Sequence, residues 1–123
     1  MSETIKLERT AWKTYFDHVS RQLEGRQVEI EIASLAIGNQ LAAKWLPLFG
    51  ITYDEKNDLL AVMAEGLDHM IRHPREVHAE REGADLHSIH VNDGDGASQL
   101  LRFRAPPAQS PPGPGGNAPR AAG

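Results

Sequence analysis

The chain contains no cysteine, which excludes disulfides, thiolate metal ligands and a cysteine nucleophile. It has no long apolar run, since charges interrupt every stretch before the eighteen or so residues that a membrane-spanning helix needs. Aromatic residues are few, 6% of 123, and so are lysines, which leaves little of the clustered cationic footprint of a nucleic-acid binder. No glycine-rich phosphate loop, Gly-x-Ser-x-Gly elbow or His-Glu-x-x-His helix occurs, so an enzyme of a familiar kind is not expected. Residues 1 to 6 lack a basic segment followed by an apolar block, so no secretory signal is expected and the cytoplasm is the default location. What is present, 40% hydrophobic and 24% charged residues, is the make-up of an ordinary globular domain.

The composition changes abruptly after Arg104. Residues 105–123 hold six of the eight prolines and no Leu, Ile, Val or aromatic residue. A segment with nothing to bury cannot offset its ordering entropy, so a single domain over 1–104 followed by a disordered Pro/Gly-rich tail is expected. All 17 acidic residues precede that tail, which makes the domain mildly acidic.

Within the domain, Trp12, Tyr15, Phe16, Val19 and Leu23 recur at spacings of three and four, which predicts a one-faced helix over 11–24, with Thr10 as its N-cap and Gly25 as its stop. The period then becomes two: Val28, Ile30 and Ile32 alternate with Gln27, Glu29 and Glu31, predicting a strand over 27–33. Leu46–Tyr53 and Leu59–Ala64 read as a hairpin across the polar turn 54–58. Short strands follow around Pro74 (68–73 and 75–82) and around the turn Asp93-Gly-Asp-Gly96 (86–92 and 99–103). Residues 34–44 are the least clear stretch, with Ser34–Gly38 a candidate start of a short helical turn and Gln40–Trp45 a candidate strand. One helix followed by strands at hairpin spacing gives an α+β fold, in which the helix packs on a strongly curved, mainly antiparallel, barrel-like sheet of five to seven strands. The expected core includes Trp12, Phe16, Val28, Ile30, Ile32, Trp45, Ile51, Leu60, Val62, Ile71, Val77, Ile89, Leu101 and Phe103.

Histidines are densest between His69 and His90, which raises a metal-dependent hydrolase as one alternative. On a strand, however, His69 and His73 stand roughly 13 Å apart at about 3.3 Å per residue, too far to share an ion. No metal site and no cofactor are therefore expected, although His78 and His90 are candidate cross-strand neighbours. The acids Asp54, Glu55 and Asp58 read as a solvated turn rather than a catalytic pair, and Asn92–Gly96 as a hairpin turn rather than a calcium loop. An RNA-binding barrel is a second alternative, and it would need Arg72, Arg75, Arg102 and Arg104 on one surface. The reading preferred from the residues is a non-catalytic protein-interaction or adaptor module. It would act through the segment carrying Asp68, His69, Arg72, His73, Pro74 and Arg75, on an unknown protein partner or by self-association. Proline is confined in sheets to edges, strand starts and bulges, and edges are where a further strand can add. Nucleic acid and membrane are not expected partners.

The runs Trp12–Phe16, Gln27–Ile32, Leu48–Asp54 and Leu100–Phe103, and above all His69, Ile71, His73, Pro74, Arg75, Glu76 and Val77, resemble a family of small bacterial proteins catalogued only as a domain of unknown function. That resemblance implies an independently folding small domain and brings no activity. A weaker likeness joins Gly50–Asp54 and Leu59–Val62 to the first motif of Sm-like small barrels. The Arg-Gly step of their second motif is absent.

Overall fold

A computed structural model describes residues 2–107. Residues 108–123, the bulk of the expected tail, lie outside the described residues. The first strand, β1 (Glu3–Leu7), leads through a 3-10 turn (Arg9–Ala11) into α1 (Trp12–Gln22), followed by β2 (Gln27–Ser34), β3 (Gly38–Asp54), β4 (Leu59–Ala64), β5 (Leu67–Arg72), β6 (Pro74–Glu82), β7 (Asp85–Asp93) and β8 (Ser98–Arg104).

Helix α1 forms where the three-four spacing places it and buries Trp12, Phe16 and Val19. Its start differs from expectation. Ala11, not Thr10, is the capping residue, and it makes no side-chain cap bond. Tertiary contacts hold the entry instead, because Trp12 Nε1 donates to Leu7 O at 3.0 Å and the Arg9 guanidinium lies 4.5 Å over the Trp12 ring. Gly25, at φ 84°, turns the chain in a left-handed conformation that favours glycine.

The eight strands form one ladder in the order β1-β6-β7-β8-β2-β3-β4-β5, and every pairing is antiparallel. Among the described residues the ladder ends at β1 and β5 and does not close, so the barrel-like expectation is not confirmed, and the strands number eight rather than five to seven. Strand β1 was not foreseen: only Leu7 of its five residues is buried, and its pairing depends on β6 far along the chain. The ambiguous stretch 34–44 is the tight end of a hairpin, with β3 starting at Gly38.

Curvature comes from β3, which is 17 residues long and serves two partners. Its first part pairs with β2 as far as Pro47, and its last part, from Leu48, pairs with β4. Register shifts opposite Val28–Ile30 and within Leu48–Gly50 mark the bend, as bulges do in strongly twisted sheets. Trp45 sits in the first bulge at φ 52°. That conformation turns its ring out of the core and onto Arg104, whose guanidinium lies 4.2 Å from the ring centroid. Trp45 is therefore half-buried and not a core residue; Ile32 is likewise half-buried, and the other residues expected in the core are buried together with Leu7, Ala43, Tyr53, Ala64, Ala79 and Leu86.

The helix packs on the second half of β3, at the side where β2 has stopped. There Ser20 Oγ donates to Ile51 O at 2.7 Å and accepts the Ile51 N–H at 2.8 Å. One hydroxyl thus substitutes for the missing strand and satisfies two main-chain groups that would otherwise be left without partners. Ser20→Ala is expected to cost about 1 to 3 kcal/mol, the range for stranding a buried polar group. A urea titration showing a midpoint within error of the wild type would refute that role.

Candidate functional site

The β4–β5 hairpin sets the geometry of the segment singled out in the sequence. Ala64 and Leu67 pair across the two residues Glu65 and Gly66, with Gly66 at φ 75°, and at the far end His73 N–H donates to Asp58 O at 2.9 Å. In an antiparallel pair, hydrogen-bonded positions alternate with non-bonded ones. Between these two anchors, Leu67, His69 and Ile71 therefore direct their main-chain groups toward β4, while Asp68, Met70 and Arg72 direct theirs away from it. Among the described residues, strand β5 has a ladder neighbour on one side only.

The side chains alternate in the same way. Ile71 is buried, and His69 points inward to meet Gln99 Oε1 at 2.6 Å across the folded-over sheet. Gln99 Nε2 in turn donates to Asp93 Oδ2 at 3.0 Å. Asp93 Oδ1 accepts the N–H groups of Asp95 and Ala97, both at 2.9 Å, so the Asp93–Gly96 stretch is a self-capped hairpin turn. On the outer side Asp68, Met70 and Arg72 are exposed, Met70 to 42%. Next to them in register lie Met63 and Ala61 of β4, with Phe49 of β3 exposed to 63%.

The corner between β5 and β6 is a single residue, His73, held at φ 53°. Pro74 opens β6 opposite Asp93, and a register shift follows before Glu76. This is one of the places a sheet tolerates a residue without an N–H. Opposite His73 stands Asp58, also left-handed at φ 50°. Its carboxylate accepts the Tyr53 hydroxyl at 2.6 Å and Arg9 Nη1 at 3.1 Å, and it meets His73 Nδ1 at 3.2 Å. Arg9 also donates to Tyr53 Oη at 3.2 Å and to Pro74 O at 2.9 Å. Gly94 closes against the corner: a Cβ there would come within 3.0 Å of His73 Cβ and 3.1 Å of His73 O, so a larger residue would force the β7–β8 turn away.

The electrostatics of this node are those of a structural clamp. The Tyr53 hydroxyl bond, followed by the His73 and Arg9 contacts, holds the Asp58 carboxyl below the usual carboxylate range. Burial, reinforced by the Asp58 carboxylate, pushes the Tyr53 hydroxyl up to about 12. Asp54, the other acid of that turn, is also held low by the Asn57 side-chain amide and main-chain N–H. Both carboxyls are biased toward the anion, the opposite of what a general acid requires.

The histidines are dispersed. His69 bonds Gln99, His73 bonds Asp58, and His78 and His90 oppose each other across β6 and β7 as the sequence suggested. Among the described residues no group of three or more His, Asp or Glu side chains is placed to hold a metal ion. The arginines divide as well: Arg72 and Arg75 flank the corner, whereas on β8 Arg102 pairs with Glu29 at 2.8 Å and Arg104 bonds Gln27 at 2.8 Å. Arg102, Trp45, Glu80, His87 and Ser88 line a groove of about 470 Å³ on the outer face, but Glu80 already accepts from Ser88 and Arg104 covers the Trp45 ring.

Of the residues proposed from sequence, His73 and Pro74 enter the corner clamp, His69 enters the inner polar string, and Asp68, Arg72 and Arg75 are exposed around it. Sequence reasoning missed Arg9, Tyr53 and Met70. No helix among the described residues is long and apolar enough to cross a membrane.

The fold and site thus define a small, mostly β domain, antiparallel throughout and with one helix, in which an exposed terminal strand runs into a clamped corner. The chain belongs to the family of unknown function DUF5335, whose model matches residues 3–112. It is 33% identical over 102 residues to an uncharacterized protein of Aquifex aeolicus (strain VF5), an alignment that covers 82% of this chain and 92% of that relative. No solved structure matches it.

Proposed function

We propose that the protein is a non-catalytic interaction module that binds by strand addition along β5. The observation that supports this most is that the outward main-chain groups of Asp68, Met70 and Arg72 line an end of the ladder that, among the described residues, has a neighbour on one side only. An unpaired strand edge is a template for a further strand. Met70, opposite Ala61 in the ladder and exposed to 42%, offers the added strand an apolar contact. The Arg9–Asp58–His73 clamp and the His69–Gln99–Asp93 string hold β5 from behind, and a rigid edge loses less entropy on binding.

The test is photo-crosslinking in the source cell with a photoreactive residue at position 68 or 72, and at the exposed helix position Thr14 as control. Adducts of discrete mass at β5, absent at Thr14 and abolished by Met70→Pro, are expected. Proline at 70 deletes an outward N–H and spares the bonds to β4. Adducts that are equal at all three positions, or indifferent to Met70→Pro, would overturn the proposal.

A further inference from the structure

We infer that the strand added to β5 is β5 of a second copy of the chain, related by a two-fold axis at Met70. This deepens the strand-addition reading and rests on it. The outer face of β5 carries Asp68, Met70 and Arg72 in that order, an anion and a cation placed symmetrically about an apolar centre. In a two-fold antiparallel pairing centred on Met70, Asp68 lies directly opposite the partner's Arg72, and Arg72 opposite the partner's Asp68. Met70 meets its own equivalent. All three positions have outward main-chain groups, so each outward N–H meets a carbonyl of the other copy. The same patch serves both subunits, as a two-fold interface requires.

Charge also fixes the register. Opposite charges directly across a ladder are favourable and like charges unfavourable. Sliding one copy by two residues sets one of the charges of each strand opposite Met70, and sliding it by four sets Asp68 against Asp68 or Arg72 against Arg72. A slip of one would set inward-facing residues against outward ones. Only the Met70-centred register pairs both charges. Among the described residues, neither Asp68 nor Arg72 has its side chain engaged in an ion pair or side-chain hydrogen bond, whereas His69 on β5 and His73 at the corner do. The contact area of one strand edge is small, which places this dimer among weak, concentration-dependent associations.

The experiment is sedimentation velocity on the untagged full chain from about 1 µM to 1 mM at low salt, the upper limit being the range where weak pairs form. A monomer–dimer equilibrium is expected. D68R and R72D should each weaken it by about tenfold or more, because each sets like charges opposite at two places. The double variant D68R/R72D should restore it, and an equimolar mixture of the two single variants should dimerise although neither does alone. If a variant fails to fold by circular dichroism, hydrogen exchange of the wild type decides: the amides of Asp68, Met70 and Arg72 should gain protection as concentration rises.

A monomer throughout that range, or a dimer indifferent to both charge reversals, would overturn self-pairing. Crosslinks at β5 to a different mass would then leave strand addition standing, whereas a monomer without β5 crosslinks would remove both.

Discussion

Trp12→Ala is expected to cost about 3 to 5 kcal/mol, the range for truncating a buried aromatic, and so to remove most of the stability of a domain this small. Trp12 is 1% exposed. Its ring meets Tyr53 edge-on at 5.1 Å between centroids, its Nε1 holds Leu7 O at the end of β1, and its other face carries Arg9. One side chain therefore ties β1, the helix entry and β3 together. Trp12→Phe should keep the packing but strand Leu7 O, costing about 1 to 3 kcal/mol. Thermal melts followed by circular dichroism check both. An alanine variant melting within a degree or two of the wild type would show that the helix is not docked by this ring.

The helix was legible because its signal is local: spacing, apolar face and a terminating glycine all fall within residues 12–25. Strands β2, β4, β7 and β8 were legible for the same reason, since alternation such as Val28, Ile30, Ile32 needs no knowledge of a partner. What the sequence did not disclose depends on distant residues. Strand β1 is charged and only Leu7 of it is buried, so it carries no alternation strong enough to announce itself and exists through its pairing with β6. Trp45 looks like a core residue by type, and only the bulge at φ 52° moves it outward. Strand β3 runs as one strand through Pro47 and Gly50, residues that usually punctuate; here they lie where the strand exchanges one partner for another.

The candidate site was half legible. Pro74 marked a corner, because a proline cannot supply a ladder N–H; among the described residues only the strand before it, β5, ends the ladder, whereas Pro74 opens β6, which lies between β1 and β7. Asp58 was visible only as a turn acid. Its left-handed φ is one that Asp tolerates better than most residues, and nothing nearby in sequence foretells that Arg9 lies across from it. The aliphatic pair Leu35 and Ile37 illustrates the converse. Both are apolar by type, yet they stand exposed to 107% and 56% at the tip of the β2–β3 hairpin.

The corner clamp gives the second large effect. Asp58→Ala is expected to cost about 2 to 3 kcal/mol. It deletes bonds from a guanidinium and a phenol, and it places a residue that dislikes positive φ where Asp58 sits at 50°. Asp58→Asn should cost less, since asparagine tolerates that conformation and can still accept from Tyr53. The pH dependence follows from the two shifted groups. The Asp58 carboxyl titrates lower in the folded protein than its usual 3.8, so its contribution is complete above about pH 4 to 5 and is lost as the pH falls through the folded value. The Tyr53 hydroxyl titrates higher, at about 12, so its contribution is complete below its unfolded value near 10 and is lost as the pH rises from there toward 12. Denaturation midpoints measured across pH should therefore fall at both extremes in the wild type. Asp58→Asn should flatten the acid limb, and Tyr53→Phe the alkaline one. An acid limb as steep in Asp58→Asn as in the wild type would show that other carboxylates govern acid unfolding and that the clamp at the β5–β6 corner is weak.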